Sequence, residues 1–417
     1  LFSFLCGVAR TIEMLILFRV LQGLSGGPLM PLTQTMLTRI FPPEKLPMAM
    51  GLWAVTTISA PIIGPILGGT ISDNWSWPWI FFINLPVVAL CVFAVQRLLP
   101  PFETPRLTMR IDHVGLFLLI LWVGAFQIML DTGREHDWFA SSFVIGAALL
   151  AVVAFAAFVI WEWFEPEPIV DIRLLKDRTF ALSTLAVSLG FGGFFGSVVL
   201  VPLWLQQVLG YTATDAGHVT AYQGMLAVVV APIAAMLLNR VDARLTISLG
   251  MLWLAATTLL RMNWNTQSDY WTLVLPQLLQ GVGMPFFFIG LTSLSLANIR
   301  AEHTASAAGL MTFSRTMSGA IATAVAATLW TSHTRVARAD MVPAINDGEG
   351  VMARMEQAGL TVDQARAMLD RMVELQASTS GAISIFLLST IVFVVAAAVV
   401  WLIPKPTGPI SAGGGGH

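Results

Sequence analysis

The chain has 417 residues, of which 56% are hydrophobic and only 11% carry a charged side chain. A typical soluble domain is about 25% charged, so this composition excludes a soluble globular protein, and a formal net charge of −2 provides no basic surface for nucleic acid. The apolar runs are long enough to cross about 30 Å of hydrocarbon as helices and lack the alternation of strands, so we predict an all-α membrane protein.

Eleven full spans and one partial span follow in chain order. The partial span, at 1–9, is too short to cross a membrane and lacks a preceding basic region, so it predicts the end of a helix that begins upstream rather than a signal peptide. The full spans are predicted at 12–37, 47–71, 79–98, 112–130, 142–163, 180–208, 214–238, 245–262, 270–296, 304–331 and 381–403. Cys6 and Cys91 lie in apolar runs without metal-ligand spacing, so neither a metal nor a cofactor is predicted.

Basic residues are distributed unequally between the two ends of the spans. Twelve lysines and arginines lie in the loops on one side, whereas only Arg10, Arg134 and Arg261 lie in the short loops on the other. Because basic loops are retained in the cytoplasm, the first side is predicted to be cytoplasmic. The long polar segment 332–379 then faces outward.

Two neighbouring spans recur later in the chain at one offset. The similar pairs are RVLQGLSGGPLMPLTQTM at 19–36 with QLLQGVGMPFFFIGLTSL at 277–294, and AMGLWAVTTISAPIIG at 49–64 with AAGLMTFSRTMSGAIA at 307–322. Gly23 and Gly281 are 258 residues apart. Gly51 and Gly309 are separated by the same 258 residues. This equality predicts an internal duplication of the kind from which many transporters are built.

The duplication predicts the domain organisation. Because the second half begins near Phe180, the offset of 258 predicts about 80 residues and two to three helices upstream, and fourteen spans in the intact protein. The predicted units are the C-terminal part of a first six-helix bundle at 1–98, two intervening transmembrane helices with cytoplasmic loops at 99–179, a second six-helix bundle at 180–403 that includes a periplasmic loop at 332–379, and a cytoplasmic glycine-rich tail at 404–417.

One face of the first full span is polar or small at four positions. These positions, spaced by three and four residues, are Arg19, Gln22, Gly23 and Gly26. A guanidinium near the middle of a membrane costs about 2.5–3.5 kcal/mol on insertion scales, so Arg19 is predicted to have a task. The alternative is a structural arginine that donates hydrogen bonds to backbone carbonyls.

These residues resemble a known family. Arg19-Val-Leu-Gln22-Gly23 resembles motif B of the major facilitator superfamily. The stretch SAPIIGPILGG at 59–69 resembles motif C, the antiporter signature, through Gly64, Pro65, Gly68 and Gly69. Further stretches that resemble the fourteen-helix EmrB/QacA branch of the superfamily lie at 71–86, 127–139, 168–180 and 210–217.

The resemblance implies a drug:proton antiporter with the superfamily fold. Such proteins are multi-pass pumps of the bacterial inner membrane that export hydrophobic toxic compounds, with a periplasmic adaptor and an outer-membrane channel as partners. It also implies that Arg19 supports proton traffic. The alternative is an exporter of a single metabolite or siderophore-like compound. An enzyme is disfavoured because the sequence has no HExxH, GxSxG, P-loop or paired metal spacing.

Two further sets of residues are predicted to serve the transport cycle. Ala60, Gly64 and Gly68 form a ridge of small residues, which predicts a close seam between the two halves or simple glycine packing. The residues predicted to line the central cavity are Gln22, Gly23, Gln223, Gln280, Gly281 and Arg315. Arg315 is predicted to attract anionic or weakly acidic substrates, with a purely structural role as the alternative. Phenylalanines and methionines, such as Phe191, form either an adaptable wall or ordinary packing.

The charged residues complete the predictions. All 24 acidic residues lie in loops or at span ends. The proton-carrying carboxylate is therefore predicted in the upstream helices, and Glu162 is predicted to reach the cytoplasmic boundary.

The loop NRVDARL at 239–245 resembles a degenerate motif A, in which Asp242 and Arg244 form an inter-helix charge lock. Within 332–379, an amphipathic stripe from Val362 to Leu375 predicts a helix that docks the adaptor or lies on the outer rim.

Overall fold

The computed structural model of the protein describes residues 1–42, 46–102, 112–133, 135–136, 138–296, 299, 303–343 and 348–405. In this part of the chain the regular structure is helical, without a β-strand. Eight of the helices found there are long and apolar enough to cross a membrane. These features confirm the predicted all-α membrane fold.

The α-helices that the structure describes are, in chain order, α1 (Phe2–Val8), α2 (Ile12–Gly26), α3 (Leu29–Ile40), α4 (Leu46–Asn74), α5 (Trp79–Phe82), α6 (Asn84–Leu98), α7 (His113–Gly133), α8 (Ser142–Phe164), α9 (Arg178–Val198), α10 (Leu200–Val208), α11 (Ala213–Arg240), α12 (Ala243–Leu260), α13 (Tyr270–Leu296), α14 (Thr304–Met341), α15 (Gly348–Gln357) and α16 (Val362–Leu402).

Three of the predicted spans are each divided into two helices: 12–37, 79–98 and 180–208. Helix α9 ends at Val198, four residues before Pro202, and α5 ends at Phe82, four residues before Pro86. Proline has no N–H group, so the carbonyl four residues earlier loses its helical partner. The pair Gly27–Pro28 separates α2 from α3. The missing hydrogen bonds explain why these apolar runs do not form single helices.

Helices α9, α11, α12, α13, α14 and α16 pack against one another as a bundle. Its core is aliphatic and aromatic, with Phe194, Met251, Leu254 and Phe287 almost completely buried. These six helices all lie within residues 178–402. Because close packing of core side chains fixes the relative positions of helices, this bundle is the frame on which the polar residues of the second half are held.

The remaining helices contact this bundle at several places, of which the contact between α4 and α11 is the most extensive. Helix α4 packs along α11, and α7 packs against α8 as a hairpin. The hairpin reaches the bundle through Trp122, whose ring lies 5.8 Å from the ring of Phe313 on α14, measured between centroids. The first half of the chain therefore meets the second mainly through α4, with a smaller contact between α3 and α14, and the two intervening helices meet it through α7.

Helices α14 and α16 extend beyond the spans predicted at 304–331 and 381–403. A capping box between Thr361 and Gln364 begins α16. Arg338 of α14 pairs with Asp370 and Glu374 of α16, so the extensions are joined by ion pairs. Much of the predicted loop at 332–379 is therefore helical. The predicted amphipathic helix is not a separate element, because it continues into the last span.

Candidate functional site

The first polar cluster joins α1, α2 and α5. Arg19 Nη1 donates a hydrogen bond to Gln22 Oε1 at 3.1 Å, and Gln22 Nε2 donates to Ser3 Oγ at 2.7 Å. The guanidinium carbon of Arg19 lies 5.1 Å from the ring centroid of Phe81. The amide of Gln22 thus holds the arginine on one side and α1 on the other, which is how a polar side chain is accommodated among apolar helices.

The second polar cluster lies between α13 and the single turn that follows α12. Arg261 Nη2 donates to Gln277 Oε1 at 2.8 Å and also contacts Gln280 Oε1. All three side chains are almost completely enclosed. Arg261 lies in the turn that follows α12, but its side chain is buried, because two glutamine oxygens on the neighbouring helix accept its hydrogen bonds.

The two clusters occupy equivalent positions in the repeat. The equivalent pairs are Ser3 with Arg261, Arg19 with Gln277, and Gln22 with Gln280, and each pair is 258 residues apart. In each half, one arginine therefore contacts the glutamine at the equivalent position, Gln22 or Gln280. The arginine itself lies on helices that are not equivalent in the two halves. Arg261 was not singled out as a site residue from the sequence. The repeat offset could have indicated it, because Arg261 is equivalent to Ser3 of α1.

The predicted cavity residues are only partly brought together. An added Cβ at Gly281 would lie 2.1 Å from the carbonyl oxygen of Gln223, so α11 and α13 cross there with backbones in close contact. Gln223 and Gln280 are both buried at this crossing region. No described atom lies within 4 Å of the Cβ position of Gly23. The glycine next to Gln22 therefore makes no comparable approach within the part of the chain described.

Arg315 lies apart from both clusters. Its guanidinium carbon is 5.0 Å from the ring centroid of Phe191, and its side chain is half-buried. Phe191, Phe194 and Phe287 are buried in the core of the second bundle. These rings therefore pack in the core and do not line an open cavity among the described residues. Arg315 remains accessible from one side while an aromatic face attracts its charge.

The close contact between the halves lies on α4 and α11. An added Cβ at Gly69 would lie 2.4 Å from the carbonyl oxygen of Ala213, and one at Gly217 would lie 2.4 Å from that of Pro65. Each helix therefore presents a glycine to the backbone of the other. Asp73 extends the contact, because its Oδ2 accepts hydrogen bonds from the backbone nitrogen of Thr214 at 2.7 Å and from its hydroxyl at 2.6 Å.

The residues of α4 that contact α11 are shifted by one position from the predicted ridge of small residues. No described atom lies within 4 Å of the Cβ positions of Gly64 and Gly68, whereas Pro65 and Gly69 face α11. Neighbouring residues on a helix point about 100° apart, so a face that includes Gly69 and Pro65 differs from one that includes Gly68 and Gly64. Of the four motif C residues predicted for the seam, Pro65 and Gly69 therefore contact α11, and within the described chain Gly64 and Gly68 do not.

The ion pair of the predicted charge lock forms at the start of one helix rather than between two. Arg244 Nη2 donates to Asp242 Oδ2 at 3.1 Å, but both residues lie at the start of α12. Arg244 Nη1 donates to the carbonyl oxygen of Ile403, at the end of α16, at 3.1 Å. The inter-helix connection is therefore the hydrogen bond from Arg244, which joins α12 to the end of α16. The hydrogen bonds from Arg244 hold the pKa of the Asp242 carboxyl below its usual value.

The carboxylate of Glu162 is buried, so the prediction that it reaches the boundary is wrong. Its exposed fraction is 0%. Oε2 accepts a hydrogen bond from the backbone nitrogen of Val170 at 3.2 Å, and an added Cβ at Gly115 would lie 2.5 Å from Oε1. The chain after α8 folds back over the side chain, and the backbone of α7 approaches it closely because residue 115 is glycine.

Comparison with known proteins gives matches along the chain. The model of the family described as Major Facilitator Superfamily matches residues 1–323. Identity is 39% to the fatty acid resistance protein FarB of Neisseria gonorrhoeae and 38% to the multidrug export protein EmrB of Escherichia coli (strain K12), in both cases over 100% of this chain and 82% of the relative. It is 39% to the multidrug export protein EmrB of Haemophilus influenzae, over 97% of this chain and 81% of that protein.

One similar solved structure is a bacterial homologue of the human lysosomal transporter Spinster, in an inward-facing and occupied conformation. The TM-score is 0.51 at 14% identity, and the match covers 96% of this chain and 79% of the other. At this identity the likeness concerns the fold alone.

The close approach of α4 and α11 predicts different effects for two glycine substitutions. Gly69→Ala places a methyl group against a backbone carbonyl, so we expect it to lower the free energy of unfolding by about 1–3 kcal/mol through overpacking. Gly64→Ala is the matched control, because its methyl group meets no described atom and alanine favours a helix by up to about 1 kcal/mol. Thermal unfolding of the purified variants measures both. Equal unfolding midpoints would contradict the contact.

The link from α12 to α16 predicts a stability effect. Arg244→Gln removes the charged hydrogen bonds to Asp242 and Ile403, so we expect a loss of about 1–2 kcal/mol in the free energy of unfolding at pH 7. Arg240→Gln, at an exposed position at the end of α11, is the control and should leave the unfolding midpoint unchanged. If both variants unfold like the wild type, the link does not stabilise the bundle.

The pH dependence of this link follows from the lowered pKa of Asp242. Because the pKa is lower in the folded state, the stabilisation is present above the unfolded value of about 3.9 and is lost as the pH falls through the folded pKa. The difference in midpoint between wild type and Arg244→Gln should therefore be constant from neutral pH down to about pH 5 and decrease below it.

Proposed function

The chain belongs to the major facilitator superfamily and to its EmrB-like branch, and we propose that it exports hydrophobic toxic compounds in exchange for protons. On this proposal it is the inner-membrane pump of a three-part efflux system in a bacterium. The observation that carries the proposal is the similarity over the whole chain to proteins named for multidrug export. Membership in this superfamily indicates a transporter rather than an enzyme.

One relative supports a narrower second candidate. The protein FarB is named for fatty acid resistance, so an exporter restricted to one class of amphiphilic compound is the alternative. The two candidates differ in the breadth of the substrates. Half-buried Arg315 beside Phe191 suits an anionic amphiphile in either case, because a guanidinium pairs with a carboxylate and an aromatic ring with an apolar chain.

Proton coupling is proposed to depend on Arg19. Its guanidinium is exposed among the described residues while Gln22 and Phe81 fix its position. A nearby cation lowers the pKa of a carboxylic acid, so Arg19 would keep a proton-carrying carboxylate ionised and release it when the proton arrives. Arg19 would then pair with the carboxylate when it is ionised and lose this partner each time a proton binds.

The conformational cycle is proposed to use the seam formed by Gly69 of α4 and Gly217 of α11. Closely packed backbones exclude water, and helices with small residues at their interface approach without large interlocking side chains. Such a contact would seal the path between the halves in one state of the cycle. The extensions of α14 and α16 are proposed to offer the periplasmic adaptor a rigid surface on the outer side.

The role of Arg19 predicts the effect of its removal. Arg19→Ala in the intact exporter should abolish proton-driven export while the protein still reaches the membrane, because the cation that competes with the proton is lost. Arg10→Ala, at an exposed position between α1 and α2, is the matched control and should export normally. Dye efflux and acidification-linked transport in proteoliposomes measure both. Normal efflux by Arg19→Ala would remove this residue from the coupling.

The breadth of the substrates separates the two candidate functions. We expect proteoliposomes with an inward-directed proton gradient to transport several unrelated hydrophobic compounds, including dyes, uncouplers and antibiotics. Dissipating the gradient should stop transport of all of them. Transport of fatty acids alone would favour the narrower exporter, and transport that does not respond to the gradient would contradict proton exchange.

A further inference from the structure

We propose that Arg261, Gln277 and Gln280 form a binding site for a monovalent anion inside the second bundle. The site lies where the turn after α12 meets α13, with α16 alongside. The proposal concerns binding alone, so it holds whether or not the chain exports drugs.

The orientations of the two glutamines create a group of hydrogen-bond donors. The exposed fractions of Arg261, Gln277 and Gln280 are 0%, 1% and 0%. Both glutamine oxygens accept from the same atom, Arg261 Nη2. Because each oxygen is used in this way, each amide presents its nitrogen elsewhere. Within the described chain, both amide nitrogens and the Nε and Nη1 atoms of Arg261 lack a hydrogen-bond acceptor.

The positive charge of the cluster also lacks a negative partner. A guanidinium keeps its proton at physiological pH, and the ion pairs found among the described residues do not include Arg261. Its guanidinium carbon lies 5.9 Å from the ring centroid of Trp264 and 5.7 Å from that of Phe386. Aromatic faces attract the charge but are weak acceptors for N–H groups. Buried donors and charges are otherwise paired in folded proteins.

A monovalent anion supplies what this cluster requires. It carries one negative charge to balance one guanidinium, and it accepts several N–H hydrogen bonds at once. Two sources share this chemistry, namely an inorganic anion such as chloride and the carboxylate of an amphiphilic compound. Asn263 and Asn265, on either side of buried Trp264, are exposed, so the connection between α12 and α13 is the proposed route of entry.

The first half does not have this surplus of donors. At the equivalent position, the nitrogen of Gln22 already donates to Ser3, and Arg19 is exposed rather than enclosed. At this repeat position, the amide nitrogen of the first half has a hydrogen-bond acceptor. In the second half, the amide nitrogen lacks an acceptor among the described residues and the neighbouring arginine is fully buried. The anion site is consequently proposed for the second half only.

The test measures anion binding by the intact protein, purified in a buffer whose only anion is the divalent sulfate ion. Chloride is added at constant ionic strength, and the thermal unfolding midpoint is recorded. A ligand that binds only the folded state raises the midpoint in a saturable manner. We expect this rise for the wild type and for the control Arg240→Gln, and its loss for Arg261→Gln. An equal response of Arg261→Gln and wild type would overturn the proposal.

Two further arms separate the sources and protect the test against misfolding. Decanoate replaces chloride in a second series, with 1-decanol as the uncharged control. A response to decanoate but not to chloride assigns the site to a carboxylate, a response to chloride assigns it to an inorganic anion, and the absence of both overturns the proposal. If Arg261→Gln does not fold, Arg261→Lys keeps the charge but loses the fork of donors, so its apparent affinity should fall at least about tenfold. An unchanged affinity of Arg261→Lys would equally overturn the proposal.

Discussion

An arginine within an apolar part of the chain needs hydrogen-bond acceptors on its own helix or on a neighbouring one, and in both repeats of this chain glutamine supplies one. Gln22 serves Arg19 in the first half, and Gln280 serves Arg261 in the second. The position of the acceptor is common to both halves, whereas the helix that supplies the cation differs. Duplicated genes can thus diverge in which residue carries a charge while they preserve the site that stabilises it.

The contact between the halves has a different physical basis. Gly69 and Gly217 bring the backbones of α4 and α11 together, and their approach is reciprocal. Van der Waals packing is a main source of helix association in lipid, where apolar side chains gain little by leaving the hydrocarbon. A backbone contact of this kind needs few interlocking side chains to separate. This property supports the proposed use of the seam in a cycle of opening and closing.

Much of the fold was predictable from the sequence, because apolar runs long enough to cross a membrane leave few alternatives. The helix breaks were less predictable. Pro202 follows a break by one turn, whereas Pro232 lies within the continuous helix α11, so the surrounding packing decides the outcome. Sequence spacing was enough to place Arg19 and Gln22 on one helix face, where the structure joins them by a hydrogen bond. The burial of Arg261 and Glu162 was missed, because it depends on chain segments that local patterns do not locate.

The ion-paired extensions of α14 and α16 have a mechanical consequence. These helices contain 38 and 41 residues, which corresponds to about 57 and 61 Å at 1.5 Å per residue. The hydrocarbon core is only about 30 Å thick, so a helix of either length that crosses it along the membrane normal extends well beyond it. Because Arg338 joins the two helices near the end of α14, their extensions would move together as a lever. A small tilt of the membrane-spanning parts of α14 and α16 would produce a larger sideways displacement at the far ends of their extensions.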